Sequence, residues 1–563
     1  MSVQKKPGYF ISVLPLGLRC FLSAIALVLG VCSGVSEATE SPSGQVTAYD
    51  ADGESLGSVR FANSCTSRAQ PLLVRGLALM HHMTFEEALE AFKAAQAVDP
   101  ECAMAFWGAA MTHLHPLWPD SLSPESQAEG NGWITQARSA VNSSKRELAY
   151  VDVIAAYYET EGGERARLAA YRDGWRRVVE AWPDDVEARL FYARSILANA
   201  SRRDKTYALQ REAGSIAEKI LAEIPDHPGA HHYIIHAYDV PPLAEAALDV
   251  ARSYDKVAPE NTHALHMTSH IFTQLGFWEE SADFNARALK ASAERLSKGE
   301  ISLHHLHALD FLVYAELQRV NDAHAIEMFD YLGSLQPPYQ DHIATANAFT
   351  AVPARLALER RNWALAANLD PHLPEQLSWS KYPYLMAMVE YARALGAIHT
   401  GDLTAAADSI QALRSLREAA AKVSGAYDWA TQVAIREDSA RAWLSFVKGD
   451  TESALSMMAK AAERQVAVGR APGSPGPVLP ALELYGDMLL RAGDYARALS
   501  IYEASLKQSP GRFWSLYGAG RAADLSGDKV LARQYFTQLL KNCPSPTVSI
   551  AELDYAREFI STK

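Results

Sequence analysis

The chain has 563 residues and a formal net charge of −13, with 53 Lys and Arg against 66 Asp and Glu. That acidic balance, with no stretch concentrating Lys and Arg beyond short clusters, leaves no electrostatic footprint for nucleic acid or for an anionic membrane. Hydrophobic residues make up 48%, enough for a large core or for a repeat array that buries its core between stacked neighbours.

At the N-terminus, Lys5, Lys6 and Arg19 precede an apolar run from Cys20 to Cys32, and Ser36, Glu37 and Ala38 offer small residues for cleavage. About 13 apolar residues fall short of the roughly 20 that span a bilayer. Residues 1–38 therefore read as an export signal, with no membrane insertion after cleavage and a periplasmic or secreted mature protein. Residues 39–68 are rich in Ser, Gly, Asp and Thr and read as an irregular lead-in with at most a short strand near residues 58–61. Gly53, Ser55 and Gly57 match the letters of a nucleophile elbow, but no apolar strand precedes them and no helix follows, so they read as a turn.

After Gln70, the apolar spacing of PLLVRGLALMHH predicts a helix, and Thr84 can cap the next, FEEALEAFKAAQAV, which ends at Asp99 and Pro100. Cys65 precedes this helical hairpin and Cys102 follows it. The ends of such a hairpin lie close together, so an oxidising compartment favours a Cys65–Cys102 disulfide; the alternative is two small buried thiols. Further along, residues 116–132 read as a Pro/Ser/Gly-rich insertion and residues 199–205 as a polar linker. Pro337 and Pro338, residues 371–383 and residues 469–480 interrupt the helical pattern. Near the C-terminus, Gly518 and Gly520 sit within a helical pattern and read as close packing. Arg512, Arg521 and Lys507 read as a solvated face.

Phe85, Ala88, Phe92, Ala95 and Pro100, followed by Ala105, Trp107 and Gly108, resemble the tetratricopeptide repeat family. The resemblance recurs at Gly276 to Ala282, at Gly401-Asp402, at Gly449-Asp450, at Gly493-Asp494-Tyr495 and at Gly527-Asp528. The step from Gly493 to Gly527 equals the 34-residue period of that family. Over residues 69–545 the resemblance implies an all-α fold, a superhelix (α-solenoid) of stacked helix-turn-helix pairs. We divide it into an N-terminal array, 69–350, and a C-terminal array, 351–563; one continuous superhelix is the other arrangement.

Two stretches carry the chemistry, His-His-Tyr-Ile-Ile-His-Ala-Tyr-Asp at 231–239 and His-Ala-Leu-His-Met-Thr-Ser-His at 263–270. Each holds a His-x3-His pair, His232 with His236 and His266 with His270, and residues four apart on a helix present both rings in one direction. The pairs are themselves 34 residues apart, as are His81 and His115. In the register that the resemblance implies, these six face the concave groove. His307 and Asp310, three apart, share a face, with Asp310 either a ligand or a partner that orients an imidazole. Asp239, three after His236, invites the same reading.

Imidazoles at this spacing suit a transition metal, with copper, zinc or iron as the expected ions. The metal set is therefore His232, His236, His266, His270, His81, His115, His307 and Asp310. No thiolate set, Walker loop, Cys-x-x-Cys-His or His-Glu-x-x-His occurs. The other reading is a non-enzymatic scaffold that binds a peptide or partner protein in the groove. Residues 99–118, 231–239, 265–272 and 306–318 together resemble a group of exported bacterial tetratricopeptide proteins. Those usually carry Pro where this chain has Thr268, which leaves the His pair intact and removes a helix kink.

Overall fold

The computed structural model describes residues 45–118, 122–296, 300–371, 373–424 and 427–562. The expected export signal, residues 1–38, lies outside the described residues. From Gln70 onward the chain is helical, and its punctuation explains why. Gly276, Gly401, Gly449, Gly493 and Gly527 have φ of +72°, +88°, +93°, +80° and +89°, the left-handed conformation that ends a helix without a Cβ clash. In four of these turns the next residue is aspartate. Asp402, Asp450, Asp494 and Asp528 accept from the backbone N–H three residues on, at 3.0, 3.3, 3.3 and 2.9 Å. One residue closes a helix and its neighbour opens the next.

The resulting pairs include Thr262–Leu275 with Trp278–Leu296, Pro383–Thr400 with Leu403–Ala420, and Trp429–Val447 with Thr451–Val468. Ala481–Arg491 with Tyr495–Gln508 and Phe513–Leu525 with Lys529–Asn542 complete the C-terminal end. Where helices touch, glycine makes room. A Cβ on Gly518 would sit 2.2 Å from the Tyr502 ring, and one on Gly520 would sit 2.5 Å from the Phe536 ring.

The lead-in is more ordered than its composition suggests. Val46–Tyr49 and Ser55–Val59 form an antiparallel hairpin with Val46 opposite Val59. Ser58 fixes it to the chain before helix Pro228–Tyr238, its N–H donating to the Asp226 carbonyl at 3.1 Å and its Oγ to Asp226 Oδ2 at 2.6 Å. Cys65 and Cys102 are disulfide-bonded across the first helical hairpin, and Cys543 is buried as a free thiol.

Part of the 116–132 insertion is a helix, Pro124–Ser139, with Ser123 Oγ accepting from Ser126 N–H at 3.1 Å. Ser followed by Pro is a helix start here, not a break.

One apolar core extends from Leu265 to Ala522 on both sides of residue 350, which lies inside helix Ile343–Glu359. The last repeats return onto the middle of the chain. Trp278 Nε1 donates to the Gly511 carbonyl at 2.8 Å. Arg512 is wholly buried, with Nε 2.7 Å from Glu483 and Nη2 2.9 Å from Glu359. This corrects its reading as part of a solvated face. Among the described residues no helix is long and apolar enough to cross a membrane.

Candidate metal centre

Three helices bring the histidines together. Helix Pro228–Tyr238 starts with His227 as its cap and Pro228 in its first turn, and carries His232 and His236. Helix Thr262–Leu275, capped by Asn261, carries His263, His266 and His270, and helix Leu303–Gln318, capped by Ser302, carries His307. Between the first two, residues 239–261 form only short turns, Ala244–Ala247, Leu248–Ala251 and Tyr254–Lys256. The missing full-length second helix lets His232 and His263 approach, with ring centroids 5.1 Å apart.

The rings form two groups of three, His232 with His236 and His263, and His266 with His270 and His307. Within each group one nitrogen per ring lies within 4.8 Å of the others. The hydrogen bonds fix which nitrogens are free. His232 Nδ1 is 2.6 Å from the His81 carbonyl, which can only accept, so Nδ1 carries the proton and Nε2 a bare lone pair. His266 Nδ1 is 2.8 Å from Asn285 Oδ1, while Asn285 Nδ2 donates to the Ser281 carbonyl at 2.7 Å. His266 is thereby protonated on Nδ1 too. His270 Nδ1 donates to Asp239 Oδ2 at 2.9 Å.

The two remaining nitrogens, His266 Nε2 and His270 Nε2, stand 3.1 Å apart. Two nitrogens bound tetrahedrally to one ion at 2.0–2.1 Å would lie about 3.3 Å apart. A proton on His270 would reconcile that pair alone. It leaves His232 Nε2, His236 Nε2, both nitrogens of His263 and His307 Nδ1 buried with no hydrogen-bond partner among the described residues. Unpartnered buried nitrogens on this scale are expensive in a protein interior. Burial holds His232, His263, His266 and His307 well below the usual imidazole range and His236 down to about 3, so these rings are neutral and nucleophilic.

Asp239 is the anchor behind the rings. Besides His270 it accepts from Gln274 Nε2 at 2.9 Å and pairs with Arg470. Burial would raise its pKa, but Arg470, His270 and Gln274 hold the carboxyl well below the usual carboxylate range. His236, Asp239 and Arg470 form one wall of a cavity of about 860 Å³. Trp118, Tyr384 and the 469–480 loop line other parts of it. Its wall carries six Arg or Lys, namely Arg165, Arg202, Arg203, Lys205, Arg436 and Arg470, against Glu164, Asp239 and Asp428.

The remaining sequence candidates sit elsewhere. His81 is buried in a separate group with Glu187 and His227, with Nε2 2.8 Å from Glu187 and Nδ1 2.9 Å from Tyr233 Oη. His227 Nε2 meets Glu187 at 3.2 Å and its Nδ1 accepts from Gly229 N–H. Every nitrogen of that group is engaged, so it is a hydrogen-bonded hub; His81 serves the centre through its backbone carbonyl. His115 stacks on Phe85 at 4.5 Å and reaches the Thr112 carbonyl, and belongs to neither group. Asp310 pairs with Arg355 at 2.9 Å and accepts from Asn347, which corrects its assignment as ligand or imidazole partner. Sequence reasoning missed His263 as a candidate, although it precedes His266 by three and shares its face.

The tetratricopeptide repeat family model matches residues 73–115, 439–513 and 484–545. No curated protein matches the chain. Among solved structures it is similar to the crystal structure of the APC/C hetero-tetramer Cut9–Hcn1, with 11% identity over 89% of this chain and 77% of that one and a TM-score of 0.36. It is also similar to a human IFIT1 dimer with PPP-AAAA, with 12% identity over 84% and 90% and a TM-score of 0.35. A third likeness, to Naa15/Naa10 bound to HypK-THB, has 12% identity over 84% and 70% and a TM-score of 0.23. At those identities and scores the likenesses say nothing of what this chain binds. Residues 73–115 and 439–545 thus match tetratricopeptide repeats, and the fold around them is an all-α array of helix pairs.

Proposed function

We propose that the protein is an exported repeat scaffold that holds a transition metal, copper, zinc or iron, on the histidines of its N-terminal half. The observation that carries this reading is the 3.1 Å approach of His266 Nε2 and His270 Nε2 while the other nitrogen of each ring is held by Asn285 and Asp239. Metal-bound imidazoles are held in this way, with the outer nitrogen donating to a carbonyl or carboxylate. The fully satisfied His81–Glu187–His227 group is a useful contrast, since burial alone has not left its nitrogens unpartnered. The Cys65–Cys102 disulfide supports an oxidising compartment.

A metal there, with a coordination position toward the cavity, would act as a Lewis acid or redox centre for a bound water or small substrate. His236 and Asp239 line that cavity and provide the connection. The second reading, a scaffold for a peptide or partner, rests on the cavity's excess of cations in an otherwise acidic chain, which favours an anionic ligand.

His232→Ala and His266→Ala distinguish the two. Each variant is expected to lose at least half of the metal that the parent retains after dialysis, measured with a colorimetric chelator on unfolded protein. Unchanged metal content in both would remove the proposal.

A further inference from the structure

We infer that the histidine cluster is two adjacent three-imidazole sites that together hold a pair of copper ions. This rests on the metal-binding reading above and adds the number of ions and their identity. The two groups share no residue, and each is built the same way, from a His-x3-His pair on one helix and a single histidine from a helix later in the chain. His232 and His236 are completed by His263; His266 and His270 are completed by His307. They adjoin rather than merely coexist. The His263 and His266 rings are 6.0 Å apart and the His236 and His270 rings 6.3 Å. Unpartnered nitrogens occur in both groups, so a single ion in one would leave the other unsatisfied.

The choice of metal follows from charge. Neither group includes a carboxylate or thiolate, and Asp239, behind His270, is already paired with Arg470. Six imidazole ligands contribute no negative charge to offset two buried ions. Two dications repel four times as strongly as two monocations at the same separation, and the interior makes that repulsion severe. Of the metals suited to imidazole, copper has the accessible monovalent state, whereas zinc does not change valence. The resting pair is therefore Cu(I), with three imidazoles on each ion. Transfer of one electron from each ion to an added one-electron oxidant would give Cu(II), whose extra charge calls for an anion from the cavity, which His236 lines and which carries excess positive charge.

The test is anaerobic titration of the metal-free full chain with Cu(I), quantifying copper retained after desalting, followed by oxidation with one equivalent of ferricyanide per copper and electron paramagnetic resonance. The wild type should retain two equivalents and, once oxidised, give a spin count well below its copper content because adjacent Cu(II) ions couple. His263→Gln and His307→Gln should each retain one equivalent, with a spin count matching the copper. One equivalent in the wild type, or two with full uncoupled spin, overturns the pair while leaving the metal-binding reading standing. No copper retained, and no zinc or iron either, overturns both. Because the wild-type stoichiometry and spin decide the question alone, a variant that fails to fold does not protect the inference.

Discussion

The Asp239 carboxylate accepts from His270 and Gln274 and pairs with Arg470, so it sets the tautomer of one ring and ties that ring to the cavity loop. Asp239→Asn keeps the shape and removes the charge. We expect metal affinity to fall about 10- to 100-fold, the usual cost of losing a partner behind a ligand, with the helical content unchanged. Chelator competition measures it, and an unaltered affinity would mean that His270 is not a ligand. The His-x3-His pairs were legible because spacing of four on a helix fixes direction within one element. His263 was missed, although its spacing of three from His266 falls under the same rule. Asn285 and Arg470 were not, since they approach from other elements. Asp310 failed for that reason: its helical face could be read, but its partner Arg355 lies 45 residues away.

At the scale of elements, glycine turns divide the chain into helix pairs, and their glycines are not equivalent. Gly401, at φ +88°, has nothing within 4 Å of where an added methyl group would sit, whereas at Gly276, φ +72°, that methyl would lie 2.4 Å from the Pro510 carbonyl. Gly401→Ala should cost about 1–2 kcal/mol, the penalty for a left-handed L-residue. Gly276→Ala should cost that plus about 1–3 kcal/mol for the enforced displacement. Urea unfolding of the two variants compares them, and equal losses would show that the 276–510 approach is not maintained. Such turns are easy to read because φ restricts the residue type. The hairpin of Val46–Tyr49 and Ser55–Val59 was harder, since it is held by Asp226, far along the chain. The Pro124–Ser139 helix was misread because Ser, Pro and Gly also begin and pack helices. Gly130 there accommodates the Tyr158 ring, which would lie 2.3 Å from an added Cβ.

For the molecule as a whole, the decisive contacts are those between the final repeats and the middle of the chain. Arg512 joins Glu359, Glu483 and the Tyr314 hydroxyl in a site with no solvent exposure at any of the three charged groups. Arg512→Ala would leave two buried carboxylates uncompensated, and we expect a loss of about 3–5 kcal/mol. Thermal and urea unfolding should both register it, and a change below about 1 kcal/mol would contradict this role. Repeat patterns reveal which helices pair with their neighbours. They carry no information on where an array meets itself, so Arg512 looked like an ordinary surface cation. The histidine cluster has the same character: two pairs are visible along the chain, but the cavity beside them is completed by the 469–480 loop.

Element-resolved mass spectrometry of the untagged protein, purified from metal-replete cells, tests the central claim most directly. Stoichiometric copper, zinc or iron is expected, and it is lost when His232 and His266 are both replaced by Ala. A parent protein that retains no metal and takes up none on addition would contradict it.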